Sequence, residues 1–216
     1  MELPDRILVV APHADDEVIG CGGLLHRAAR DGAETTVVVV ATDDEERTVE
    51  LKEACRVLGV ANVEVLFGPM PFIDDLDDSR IVSAIDDALA RHAPRLVLVP
   101  SQAGYHQEHR RVAGLAVSAT RPGGGRTFGH APQSVWYYEA PADVSSPTGA
   151  WSPTLYVTLD DVDVAAKCDA MLAHASQVRP YPSERSTEAL RSLAVLRGCQ
   201  VGAAFAEAYA PRRQVF

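Results

Sequence analysis

One imidazole and three carboxylates fall within five residues near the start of the chain, in Pro12-His13-Ala14-Asp15-Asp16-Glu17. Carboxylates this close repel one another unless a cation or a proton neutralises them. Mixed nitrogen and oxygen donors suit zinc, and imidazole also suits iron or nickel. In a tight loop His13 and Asp16 can turn to the same side and share one metal ion. Asp15 would then stand beside the ion without binding it, placed to take a proton from a metal-bound water. The competing reading is that acids after a strand cap the next helix, where the helix dipole favours them. Capping needs one oxygen, not a histidine and three acids.

A second cluster, His106-Gln107-Glu108-His109, has the HxxH spacing that puts two rings near one face of a first helical turn. One ring could complete a metal shell and the other could stabilise charge on a substrate oxygen. Three protein ligands plus a water is the open pattern of a catalytic zinc.

The elements needed to bring the clusters together are legible. Continuous apolar runs at 6–11 (RILVVA), 35–41 (TTVVVVA), 63–67 and 95–100 (RLVLVP) read as buried strands. Helical periodicity lies between them, over 20–29, 46–58 and 78–91. Alternating strands and helices imply an α/β fold, a Rossmann-like, doubly wound, mostly parallel sheet flanked by helices. Ligands in such sheets bind beyond the carboxyl ends of the strands, and both clusters follow such ends. Further on, 109–118 reads as a helix, 121–125 (RPGGG) as a loop and candidate lid, 134–138 and 154–159 as strands, and 163–174 as a helix capped near Asp160 or Asp161. Pro180 to Pro182 is a break, and 188–209 reads as mostly helical, with interruptions near Gly198 and Gly202. Trp136, Tyr137 and Tyr138 read as core more readily than as a sugar-stacking platform.

Taken together, the PHxDDE segment, the glycine-rich helix start and the later HxxH resemble the PIG-L / LmbE-like de-N-acetylases. Supporting segments are Arg47-Thr-Val-Glu50, similar to the family's RxxE helix, and Lys167 with Ala173-His174-x-Ser176-Gln177, similar to its AHxSQ segment. Ala206-Glu207-Ala208-Tyr209 is similar to its closing AEAF segment. The resemblance runs from about residue 5 to about residue 210 and implies one domain over 1–216. It implies that His13, Asp16 and His109 bind zinc (Fe2+ or another divalent metal being the alternative). It also implies that Asp15 is the general base, and that His106 stabilises the oxyanion or helps the amine leave. The implied reaction is hydrolysis of an N-acetyl or similar amide on an amino sugar or its conjugate. Arg47, Glu50 and His174 are candidate substrate contacts, with structural roles as the alternative. The family usually has Asp where Glu108 stands, and the resemblance suggests that this residue orients His109. Relatives often form trimers or hexamers, so a homo-oligomer is implied.

Composition narrows the partners. Across 216 residues the formal net charge is −10 and hydrophobic residues make up 47%, enough for a substantial core. An acidic surface repels phosphate backbones, which argues against nucleic acid. The opening MELPDRILVV has two acids before an apolar run too short for a signal-peptide core or a membrane span, so a cytoplasmic enzyme with no membrane partner is expected. Cys21, Cys55, Cys168 and Cys199 are widely spaced and read as reduced thiols, mostly buried. Gly20-Cys-Gly-Gly23 lacks the GxGxxG spacing and follows acids, which speaks against a nucleotide site. The alternatives to the deacetylase are an amidase acting on a larger acyl or thiol conjugate and a non-enzymatic metal-binding protein. The loops near 68–78, 102–105 and 121–133 are expected to select the substrate.

Overall fold

The computed structural model describes residues 3–69, 72–122, 131–141 and 151–215. The chain runs β1 (Arg6–Ala11), α1 (Asp16–Arg30), β2 (Glu34–Ala41), α2 (Glu45–Val57), β3 (Asn62–Phe67), a 3-10 turn (Ile73–Asp75), α3 (Asp78–His92), β4 (Leu96–Pro100) and α4 (Gln107–Ala119). It continues with β5 (Ser134–Tyr138), β6 (Leu155–Leu159), α5 (Asp161–Ala173), α6 (Thr187–Cys199) and β7 (Phe205–Gln214). One seven-stranded sheet has the order β3-β2-β1-β4-β5-β7-β6. The first five of these strands pair in parallel, and β7 runs antiparallel to both of its neighbours. This is the doubly wound, mostly parallel α/β sheet expected from the sequence. The glycines of the candidate lid, 123–125, lie outside the described residues.

The central strands read as continuous apolar runs because both faces are covered. Ile7, Val9 and Ala11 join the core layer that contains α1 and α5, while Leu8 and Val10 join the layer beneath α3 and α4. Strand order reverses between β1 and β4, the switch point where such sheets leave a crevice. Both polar clusters emerge there.

Two expectations need correction. Helix α1 begins at Asp16, not Gly20, so the second half of the acidic cluster is its first turn. Its glycines lie mid-helix and let it press onto the sheet: a Cβ on Gly20 would sit 2.2 Å from the Tyr138 ring, and one on Gly23 would sit 2.3 Å from Leu159. The second correction is the chain end. Helix α6 stops at Cys199, Gly202 has φ 72°, and β7 occupies residues expected to be helical. Ala and Glu favour helix, but here the strand gains antiparallel partners along its length, β6 beside Phe205–Tyr209 and β5 from Tyr209 to Gln214. Tertiary pairing overrides the propensity.

Glu207 of β7 is buried, and its carboxylate accepts from the amides of Gly23 and Leu24, from the Tyr209 hydroxyl and, at 2.5 Å, from Lys167 Nζ. Lys167 also donates to the Ile19 carbonyl. It is 3% exposed, so it is structural and not a solvated lysine. Side chains thus enter the hydrogen-bond ladder of α1 and fix its placement. All four cysteines are free, with Cys21 and Cys55 buried and Cys199 exposed. Among the described residues no helix is long and apolar enough to cross a membrane.

Candidate active site

The loop between β1 and α1 is tight and unusual. Asp15 is the N-cap of α1 yet makes no side-chain cap, and its backbone sits at φ 132°, ψ −25°. Such a conformation is strained for a residue with a side chain, at a cost of about 1–3 kcal/mol, and persists only where surroundings hold it. Here Glu17 turns back and accepts from the Asp15 amide at 3.0 Å, and Arg47 Nη2 donates to the Ala14 carbonyl at 2.6 Å. The acids of this loop are therefore not serving as ordinary helix caps.

The strained turn sends His13 and Asp16 to the same side, where the first turn of α4 delivers His109. Asp16 Oδ2 lies 3.4 Å from His13 Nδ1 and 3.2 Å from His109 Nε2, and one donor atom from each of the three residues falls within 4.8 Å of the others. Donors bonded at about 2 Å to one tetrahedral zinc sit roughly 3.3 Å apart, so the set fits such an ion. The orientation of His13 supports this. Its Nε2 faces Glu108 Oε2 at 2.7 Å, leaving Nδ1 turned toward Asp16. Glu108 in turn accepts through its other oxygen from the amides of Ile73 and Asp74. Glu108 thus orients His13 across the site, not its neighbour His109 as the resemblance suggests.

Electrostatics follow from this packing. Burial alone would lower the His13 pKa, but the Asp16 and Glu108 carboxylates outweigh it and raise it to about 9. Burial opposes the Asp16 charge, yet His109 and His13 hold its carboxyl well below the usual range. Asp15 stands just behind. Burial, with Asp16 next in size, pushes its carboxyl up to about 7, while Arg185 and Arg47 pull the other way. Arg47 Nη2 lies 3.8 Å from its Oδ1, Arg185 Nε lies 3.5 Å from its Oδ2, and Oδ2 has no hydrogen-bond partner among the described residues. His106 caps α4, with Nδ1 accepting from the Glu108 amide. That bond assigns the neutral tautomer with the proton on Nε2. Burial, helped by the nearby His109 and His13, lowers its pKa and keeps it neutral.

His13, Asp16, His106, Glu108 and His109 border a cavity of about 460 Å3, within the usual range of small-molecule sites, and Asp15, 1% exposed, lies behind them without lining it. Its floor is His13, Asp16, His106 and His109; Arg47 and Asp43 form one side, and Gln177, Glu184 and Arg185 another. Phe72 and Tyr105, 60% and 62% exposed, stand at the edge.

Three of the expected substrate contacts divide. Arg47 lines the cavity. Glu50 and His174 do not border it. Glu50 commits both oxygens to the amide and hydroxyl of Ser176, and His174, 0% exposed, is bonded to Glu17 at 2.8 Å. Trp136 and Tyr138 are core residues. Phe72 and Tyr105 come from the 68–78 and 102–105 loops expected to select the substrate, whereas Arg185 stands on an irregular segment without periodic pattern that the sequence does not single out. A lone arginine in Pro182-Ser-Glu-Arg185 carries no signal of its own.

With this geometry in view, a family profile described as PIG-L, GlcNAc-PI de-N-acetylase, matches residues 8–120, just over half of the chain. The protein belongs to the PIG-L family. Among its PIG-L relatives, the 2'-N-acetylparomamine deacetylase of Streptomyces fradiae is 27% identical over 157 residues, which cover 57% of this chain and 55% of that enzyme. The match thus spans about half the length of that relative. The diacetylchitobiose deacetylase of Thermococcus kodakarensis is 25% identical over 94% of this chain and 81% of its own. In fold, the conserved protein TT1542 from Thermus thermophilus superposes with a TM-score of 0.82 at 27% identity, covering 99% of this chain and 97% of that one. The 4-carboxy-2-hydroxymuconate hydratase GalB of Pseudomonas putida KT2440 also shares the fold, with a TM-score of 0.77 at 20% identity over 98% of both chains. The fold by itself therefore does not select the reaction, and the site must.

Proposed function

We propose that this PIG-L protein is a zinc-dependent hydrolase that removes the acetyl group from the nitrogen of an amino sugar or a sugar conjugate. One observation carries the reading. A buried carboxylate, Asp15, stands beside a His13, Asp16 and His109 donor set at the floor of a cavity but outside that set. A purely structural ion has no use for it. Two curated relatives that are deacetylases of acetylated amino sugars support the choice of amide.

Zinc held by those three residues would supply Lewis acidity and lower the pKa of a coordinated water from about 16 to about 7. Asp15 takes the proton of the attacking water and passes it to the departing nitrogen. His106 donates from Nε2 to the carbonyl oxygen as negative charge develops. Glu108 holds His13 by Nε2, which leaves Nδ1 toward Asp16, where it would be available to the metal. Arg47, Arg185 and Gln177 offer hydrogen bonds to sugar hydroxyls from the cavity walls.

The deciding experiment is acetate release by the zinc-loaded protein from N-acetylglucosamine, N,N'-diacetylchitobiose and N-acetylated aminoglycosides, with Asp15→Ala alongside. Release by the wild type, with a loss of at least about 100-fold in an Asp15→Ala protein that keeps its zinc, is the expected result. Release undiminished in Asp15→Ala removes the base assignment. No release from any substrate removes amino sugars as the class. The exposed rings of Phe72 and Tyr105 favour one second reading, the same chemistry on an amide with a larger acyl or thiol portion. N-butyryl and longer N-acyl glucosamines in the same panel test it.

A further inference from the structure

We infer that Glu17 and His174 form a buried positioning couple that holds the backbone of Asp15 in its strained conformation, so that turnover depends on a histidine that never meets substrate. The inference rests on the reading of Asp15 as the base.

Among the described residues only Asp15 and Ala93 combine a side chain with a positive φ, and Ala93 is an ordinary left-handed helix end at φ 42°, ψ 53°. Asp15, at φ 132°, is outside that comfortable region and must be held. The grip is the bond from its amide to Glu17 Oε2 at 3.0 Å. The other oxygen of the same carboxylate meets His174 Nε2 at 2.8 Å. Both side chains are 0% exposed, and neither borders the cavity. The opposite ring nitrogen, His174 Nδ1, is buried without a hydrogen-bond partner among the described residues, so Glu17 is the contact that orients the ring.

His174 closes α5 and starts the segment that walls the cavity. Its carbonyl accepts from the amides of Gln177 and Val178, and the next turn is pinned by Ser176 to Glu50 of α2. The same α2 supplies Arg47, which holds the Ala14 carbonyl on the far side of Asp15. The peptide before Asp15 is thus gripped from α2, and its amide from α5 through Glu17. A buried carboxylate and imidazole are a poor choice for stability alone, since well-packed apolar residues often do as well. Directionality is what apolar residues could not provide: one oxygen for the Asp15 amide, one for the imidazole. If Asp15 relaxed toward negative φ, its carboxylate would swing away from the water it serves, and a shift of about 1 Å in such a group can cost about 100-fold in rate.

The test compares His174→Asn with His174→Gln. The amide nitrogen of Gln reaches the place of Nε2 and can still donate to Glu17, whereas that of Asn stands where Nδ1 does and falls short. Three quantities are read: kcat and KM on a substrate that the wild type hydrolyses, bound zinc per chain, and hydrogen exchange of the Asp15 amide. His174→Asn is expected to lose about 100-fold in kcat with KM within about twofold, to keep its zinc, and to lose protection at Asp15. His174→Gln recovers most of both kcat and protection. Wild-type kcat in folded His174→Asn, or equal kcat in the two variants, overturns the inference. The wild type alone gives a further check should a variant not fold. First-turn helix amides ordinarily exchange freely, but the Asp15 amide is expected to be protected by on the order of 100-fold, and free exchange there overturns the inference. This readout needs no substrate, so a wild type that hydrolyses no amide would sink the deacetylase reading while leaving the couple to be judged on exchange.

Discussion

Glu108 and His13, 95 positions apart, meet at 2.7 Å: the carboxylate takes Nε2 and leaves Nδ1 facing Asp16. The remaining Glu108 oxygen is committed to the Ile73 and Asp74 amides, so the carboxylate is held from behind. Glu108→Gln must turn its amide nitrogen toward either the imidazole or the Ile73 amide, and both are donors. Zinc affinity is expected to fall about 10- to 100-fold, the usual scale for such an outer contact. Competition with a chromophoric chelator measures it. An unchanged dissociation constant would mean that His13 keeps its orientation unaided.

That contact marks the line between what the sequence discloses and what it hides. The apolar runs of β1, β2 and β4 needed no three-dimensional information, since strands buried on both faces show no alternation to misread. His13, Asp16 and His109 were legible because chemistry demands those side chains near strand ends. Which ring Glu108 orients was not, because it adjoins His109 in sequence but faces His13 in space. The Glu17 and His174 pairing spans 157 positions, and no local pattern announces it. Strand β7 was hidden by its own Ala and Glu residues, whose helical preference is weaker than pairing with β6. Arg185 was invisible because its role comes only from the loop that carries it to Asp15.

Two glycines should respond to alanine with opposite signs. In a helix interior, Gly→Ala gains about 1 kcal/mol from backbone entropy alone. At Gly114 of α4 a Cβ meets nothing within 4 Å, so that gain should appear nearly in full. At Gly20 the Cβ would lie 2.2 Å from the Tyr138 ring, which is buried and tied by its hydroxyl to the Val10 carbonyl. Overpacking of that kind costs about 1–3 kcal/mol and outweighs the entropy. Urea denaturation should therefore rank Gly114→Ala above the wild type and Gly20→Ala below it. Stabilisation by Gly20→Ala would mean that α1 can move off the sheet cheaply.

Lys167→Met tests the device that seats α1. The variant removes the cation that faces Glu207 and the donor to the Ile19 carbonyl. Breaking one side of a buried pair typically costs about 3–5 kcal/mol. The lower end is expected, because Glu207 keeps donors from Gly23, Leu24 and Tyr209. Adding Glu207→Gln should restore part of the loss, since the uncompensated charge is then gone. A loss below about 1 kcal/mol in the single variant would assign the ion pair little weight.

His174 gives stability a pH dependence of definite sign. Burial disfavours the imidazolium, but the Glu17 carboxylate outweighs it, with smaller help from Asp15 and Glu50, and the pKa of His174 is raised in the folded protein. In the unfolded chain it returns to about 6.5. The folded state therefore binds the proton more tightly, and the resulting stability is fully present below pH of about 6.5. It is lost as pH rises from there through the raised folded value, with a slope of at most about 1.4 kcal/mol per pH unit for one proton. Urea unfolding of metal-free wild type and His174→Gln at a series of pH values isolates this contribution, because other titrating groups are common to both. The stability difference between them should be largest in mild acid and shrink on the alkaline side. A difference that grows with pH would show that His174 is neutral beside Glu17 and that the pair is held by a plain hydrogen bond.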